Sequence, residues 1–147
     1  MGWFDAEVPM SVRLGLAAIV GILLGLPYRR RPSAMRTHLF VTLGAAVFSV
    51  TAADLAESSG ADPLRVLQGV ASGVGFVGAA SVLKKGRTIS GLTEAASIWI
   101  SAAIGCGLVL GDPWRMVVVA LYTVAVGYFA ERFPSRVPRG RRRPPLQ

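Results

Sequence analysis

The sequence predicts an all-α, polytopic transmembrane bundle of about five short spans, with its amino terminus outside and its carboxyl terminus in the cytoplasm. Three observations predict it. Of the 147 residues, 52% are hydrophobic and the mean hydropathy is +0.52, well above an ordinary soluble domain. The apolar residues fall into five runs, 12–26, 39–53, 66–83, 92–110 and 116–130, separated by short polar segments. Alternate segments carry 13 of the 16 lysines and arginines, the pattern that marks the cytoplasmic side of short loops.

The charge pattern sets the orientation. Arg29, Arg30, Arg31 and Arg36 follow the first run, Lys84, Lys85 and Arg87 follow the third, and six arginines from Arg132 onward follow the fifth. The opposite side holds Arg13, Arg65 and Arg115 beside Asp5, Glu7, Asp54, Glu57, Asp62 and Asp112. An even number of spans breaks this alternation. Residues 1–10 contain two acids and lack a signal peptide's basic region, so the first run reads as a retained helix, with Arg13 snorkelling outward. A run of 15 residues rises only about 22 Å, so several spans borrow flanking residues or thin the bilayer. The spans accordingly extend to about 8–26, 38–55, 65–83, 92–110 and 115–131 within one domain, 1–133. Trp3, Phe4 and Trp114 fall at the outer boundary and Tyr28, Tyr128 and Phe133 at the inner one, where amphipathic rings belong. The tail, 134–147, holds four prolines and little apolar surface, and reads as a disordered basic extension near lipid headgroups.

The net charge of +8 is accounted for by topology, so the sequence predicts no nucleic-acid partner. The single Cys106 forbids an intrachain disulfide and reads as a small packing residue. No Ser-His-Asp set, metalloprotease helix or phosphate-cradling loop occurs, and the chain is not expected to be an enzyme. A Gly-x-Gly-x-x-Gly string at Gly73, Gly75 and Gly78 lacks the strand that a dinucleotide site requires.

Gly69 and Gly73 have small-xxx-small spacing and, with Gly75 and Gly78, make the third helix the expected centre of the bundle. Gln68 with Ser72, and Ser97 with Ser101, lie one turn apart and are expected to glue helices together by hydrogen bonds. Arg36-Thr37-His38 opens the second helix, with Thr37 as cap and His38 at the interface. Glu94 is the acid of most interest. In the first turn of the fourth helix, capped by Thr93 or Ser90, it is favoured by the macrodipole and by the basic loop before it. Its functional rival is a cation or proton site at the cytoplasmic mouth, since magnesium needs only one or two carboxylates and several waters. No other cofactor is expected.

With these motifs in hand, the chain resembles the MgtC/SapB membrane proteins. The resemblance is carried by Gly21–Gly25 with its basic loop, by Met35-Arg-Thr-His-Leu-Phe-Val-Thr-Leu-Gly-Ala-Ala-Val-Phe48, by Gly69–Ala80, and by Ser90-Gly-Leu-Thr-Glu-Ala-Ala-Ser-Ile-Trp-Ile-Ser-Ala-Ala-Ile-Gly105. It covers most of residues 14–110 and implies a bacterial inner-membrane protein of about five helices. It also implies a link to growth under magnesium limitation and to survival inside host cells. Members are described either as magnesium transporters or as regulators of other membrane proteins, and longer ones add a cytoplasmic domain for which this chain lacks the length. Two departures stand out: Pro27-Tyr28 replaces the family's Glu-Arg after the first helix, and Glu94 replaces a threonine after Gly91-Leu92-Thr93. Pro27 supplies a firm helix stop. The sequence thus leads to a non-enzymatic membrane protein acting through other inner-membrane proteins or self-association, with a divalent-cation transporter or channel as the alternative.

Overall fold

The computed structural model describes residues 8–31, 33–85 and 88–132; the expectations for Trp3, Phe4, Arg87, Phe133 and the tail lie outside them. Five helices appear in the predicted order: α1 Met10–Gly25, α2 Ala34–Ser59, α3 Leu64–Ala80, α4 Leu92–Leu110 and α5 Pro113–Arg132. Four are long and apolar enough to cross a membrane, α1 together with the turn that continues it to Tyr28, 19 residues in all, while α3, at 17 residues, is shorter. A feature the hydropathy pattern does not announce joins α3 to α4. Two three-residue strands, β1 Leu83–Lys85 and β2 Thr88–Ser90, pair antiparallel across the basic loop.

Local chemistry sets the helix ends. Pro27 ends α1 as expected, and the chain continues through a 3₁₀ turn, Leu26–Tyr28. The Asp62 and Asp112 carboxylates accept the backbone N–H of Leu64 and Trp114, 2.9 Å each, at the starts of α3 and α5. Gly60, at φ +68°, closes α2 in the left-handed region that a side chain disfavours. The cap of α4 differs from expectation. Neither Thr93 nor Ser90 serves; Gly91 does, at φ +90°, packed so closely on the Ser81 carbonyl that a Cβ there has no room.

The bundle centre is also a correction. Ten residues of α4 are buried, against Gly78 alone in α3, and Gln68, Gly69, Ser72, Gly73 and Gly75 are exposed. The small residues that pack helices are elsewhere. A Cβ on Gly21 falls 2.7 Å from the Leu39 Cα and one on Gly25 falls 2.6 Å from the Met35 Cα, so α1 and α2 touch backbone to backbone. Gly105 of α4 meets the Thr42 carbonyl of α2 just as closely. Lipid tails are as apolar as leucine, so helices in a bilayer associate through such close contact rather than by escaping water. Around these contacts Ala17, Val20, Leu24, Ala46, Ile104, Leu108, Val109 and Ala120 form the core. Phe40, Phe48, Phe76, Tyr122 and Phe129 point outward, as lipid-facing aromatic residues do.

Arg13 does more than snorkel. One guanidinium nitrogen donates to the carbonyls of Leu108, Val109 and Gly111, at 3.2, 2.9 and 3.1 Å, and so binds α1 to the negative end of the α4 dipole. That contact places the start of α1 beside the end of α4. At the other end of the bundle, Gly127 of α5 packs against Pro27 and Tyr28.

These contacts predict a sharp contrast among the glycines. Gly105→Val forces α4 off α2 and is expected to cost about 3 kcal/mol, whereas Gly73→Ala, with nothing within 4 Å of its Cβ, is neutral or stabilising. Unfolding in mixed detergent micelles reads both.

Candidate functional site

Where α1 ends, α2 begins and α4 begins, a set of polar side chains comes together, all but Arg31 enclosed, that hydropathy alone would leave in water. Tyr28 comes from the 3₁₀ turn, Arg31 from the connection after it, His38 and Thr42 from α2, and Glu94, Ser97 and Ser101 from α4. His38, Thr42 and Ser101 are wholly buried and Glu94 is 7% exposed.

Helical spacing explains the assembly. His38, Thr42, Ala45, Ser49 and Ala52 form one buried seam on α2, with alternating steps of four and three. Glu94, Ser97, Ser101, Gly105 and Leu108 form the facing seam on α4. The Gly105 contact with Thr42 brings the two seams together, and the polar residues meet at the end nearest the basic segments.

His38 lies at the centre. Its Nδ1 is 2.7 Å from the Ala34 carbonyl and its Nε2 is 2.9 Å from the Ser97 hydroxyl. A carbonyl only accepts, so Nδ1 carries the proton in either charge state. In neutral His38, Nε2 is then the acceptor, and Ser97 donates to it. Yet Ser97 Oγ also lies 2.8 Å from the Glu94 carbonyl, a second acceptor for the same single proton. The Tyr28 ring stacks on His38 with centroids 5.4 Å apart and planes 7° from parallel. Next along α4, Ser101 donates to the Ser97 carbonyl at 2.8 Å. The Thr42 hydroxyl is the one enclosed side-chain polar atom without a partner among the described residues.

The Glu94 carboxylate forms an ion pair with Arg31, whose side chain is 44% exposed. First-turn placement is as expected, and a cation from the first basic segment also reaches Glu94, across the α1–α2 connection. Among the described residues no group of three metal-binding side chains comes together, and Glu94 is charge-compensated by the protein itself.

Several expectations for individual residues are thus revised. His38 is enclosed rather than interfacial, because its two ring nitrogens find partners inside. Tyr28 is likewise buried rather than exposed at a membrane boundary. Thr37 does not cap α2; Ser33 holds that position, and the Thr37 hydroxyl donates to its carbonyl at 3.1 Å. Of the two serine-containing pairs, Ser97 with Ser101 is buried as expected, whereas Gln68 and Ser72 are exposed. Gly78 packs on Ala95, Gly91 caps α4, and Thr93 and Arg36 are exposed. Cys106 is buried against the Ala45 carbonyl, as a packing residue should be. Thr42 and Arg31 were not singled out from sequence, although the spacing from His38 to Ser49 carried a signal for Thr42.

Apart from this cluster, the structure has two open grooves beside α3. One, of about 520 Å³, runs between α2 and α3 and is lined by Phe40, Gly44, Phe48, Gly69, Gly73 and Val77 among others. A Cβ on Gly44, Gly69 or Gly73 would meet nothing within 4 Å. The other, of about 420 Å³, lies between α3 and α4 and includes Trp99 and Cys106.

Four membrane-length apolar helices, a fifth slightly shorter, and an enclosed polar cluster define a small integral membrane protein. The family model described as the MgtC family matches residues 14–136, and the chain belongs to that family. It is 43% identical over 117 residues to Protein SrpB of Synechococcus elongatus, covering 67% of this chain and 64% of that one. It is 39% identical over 109 residues to YhiD of Escherichia coli K12, whose name presents it as a candidate magnesium transporter, covering 69% and 50%. It is 36% identical over 104 residues to Protein MgtC of Salmonella typhimurium LT2, covering 68% and 44%. The chain therefore spans between 44% and 64% of the length of these relatives. No solved structure matches it.

The ion pair predicts an asymmetry. Arg31→Ala leaves a buried carboxylate without its cation and is expected to cost about 1–2 kcal/mol after allowance for the half-exposed arginine. Glu94→Gln removes the charge that needed compensation and costs less. Denaturation of both variants in the same micelles compares them.

Proposed function

We propose that this chain is a non-enzymatic protein of the bacterial inner membrane, linked to magnesium adaptation, that acts by receiving a helix of another membrane protein or of a second copy. The observation that carries this reading is the open groove between α2 and α3. Gly21, Gly25 and Gly105 are used up in packing the chain on itself, but Gly44, Gly69 and Gly73 line a trough that nothing among the described residues fills. Small residues facing an apolar trough let a second helix approach closely in lipid, where backbone proximity and dispersion replace the missing hydrophobic drive. Magnesium enters through the names of relatives, of which MgtC is one and YhiD, named for magnesium transport, is another. The orientation follows the charge count, with the basic segments and the His38 cluster at the cytoplasmic end and Arg13 at the outer one.

Transport of a divalent cation is the second reading, supported by the row of buried polar groups His38, Thr42, Ser49, Glu94, Ser97 and Ser101 between α2 and α4. Close contact of Gly105 with Thr42 interrupts that row as a path, and Arg31 occupies the carboxylate at its end.

Photo-crosslinking from α3 in native membranes separates the two. A discrete adduct that disappears in Gly69→Leu/Gly73→Leu while the protein remains folded supports docking; absence of any adduct or self-association refutes it. Magnesium flux into liposomes that Glu94→Gln abolishes would instead establish transport.

A further inference from the structure

The two acceptors competing for the single Ser97 proton have a consequence beyond helix packing. With His38 neutral, Ser97 donates to Nε2, and the Glu94 carbonyl at 2.8 Å loses that donor. Add one proton to Nε2 and every bond can still be made: Nδ1–H donates to Ala34, Nε2–H donates to Ser97, and Ser97 turns its hydroxyl to the Glu94 carbonyl. No heavy atom has to move. The imidazolium gains a stacked aromatic face in Tyr28 and a carboxylate one helical turn from its serine partner in Glu94. A carbonyl as second partner would suit the imidazolium alone, whereas a hydroxyl both donates and accepts. Here both states are satisfied, and the difference between them is the rotation of one hydroxyl.

We infer that the His38 pocket is a proton-binding site, read through Tyr28, Ser97 and the Glu94–Arg31 pair, at the end of the bundle where α1, α2, α4 and α5 meet. The charges around it can be named element by element. Arg31 comes from the α1–α2 connection and Glu94 from α4, while Arg29 and Arg30 are exposed beside them. From α5, whose Gly127 packs on Tyr28, come Glu131 and Arg132 at the end of the helix. Arg13 and Arg65 belong to the opposite end, at the starts of α1 and α3. Tyr28 carries no charge in either state. Proton uptake therefore places a second cation at the same end of the bundle as the compensated Arg31–Glu94 pair, with Ser97, one turn along α4 from Glu94, between them. Linkage is reciprocal: if removing Arg31 favours the protonated imidazole, protonation must weaken the hold of Glu94 on Arg31, and with it the tie between the α1–α2 connection and α4.

His38 is the only histidine in the chain, which gives the test an unusually clean readout. The full chain, purified without a histidine tag into lipid nanodiscs after labelling with 15N-histidine, shows one imidazole whose two nitrogen shifts report tautomer and charge directly. The expected result is the Nδ1–H tautomer at alkaline pH and reversible conversion to imidazolium between pH 4 and 9. Glu94→Gln should move the midpoint down, and Arg31→Gln should move it up, each by about half a pH unit or more. The two variants act in opposite directions, so a misfolded one does not remove the test. An Nε2–H tautomer, no conversion in that range, or midpoints unmoved in the folded variants would overturn the proposal.

Discussion

The approach of α4 to α2 at Gly105 and Thr42 is the contact on which the rest of the molecule depends. It places backbone against backbone, and it fixes the rotation of both helices about their axes. With that rotation set, Ile104, Leu108 and Val109 face α1 and α5, and Glu94, Ser97 and Ser101 face His38 and Thr42. In lipid no hydrophobic term selects one helix face over another. Small residues that permit close approach and polar groups that need each other must do the selecting, and α2 and α4 combine both on one seam.

The ends of the bundle are held by charges from different helices. Arg13 of α1 satisfies carbonyls at the end of α4, where a helix otherwise leaves four without partners. Arg31 pairs with Glu94 at the start of the same helix. The α4 dipole thus has an arginine at its negative end and a glutamate at its positive end, with an arginine beyond it. Among the described residues, no charged side chain ties helix α3 in this way. It is anchored by Gly78 on Ala95, by the Trp99 indole donating to the Ala71 carbonyl at 3.2 Å and by the hairpin, and it leaves a groove on either side. The contrast between a tightly held α4 and a loosely flanked α3 is the physical basis for assigning partner contact to the latter.

Much of this was legible in the sequence, and the reasons differ from element to element. Helix number follows from the five apolar runs and the end of α1 from Pro27, whereas α2, Ala34–Ser59, runs past the span 38–55 at both ends because its outer turns are polar. The glycines of α3 misled because small-xxx-small spacing says that close approach is possible, not which helix uses it. Gly21 with Gly25, and Ser101 with Gly105, have the same spacing, and only the three-dimensional pairing reveals that these are the faces that are filled. Glu94 was recognised from its charge, but its partner lies 63 residues earlier in the chain, a pairing no periodicity encodes. Likewise, the burial of Tyr28 follows from the 3₁₀ turn after Pro27, which folds the ring back onto His38.

The central claim is that the His38–Ser97 contact is an energetic link between α2 and α4 and not an incidental neighbour. A double-mutant cycle with His38→Ala, Ser97→Ala and the pair together, measured by reversible unfolding in mixed micelles, isolates that link. The account predicts a favourable coupling of about 0.5–1.5 kcal/mol, the range for a single hydrogen bond inside a membrane protein. Additive single and double variants, with no coupling beyond error, would contradict it.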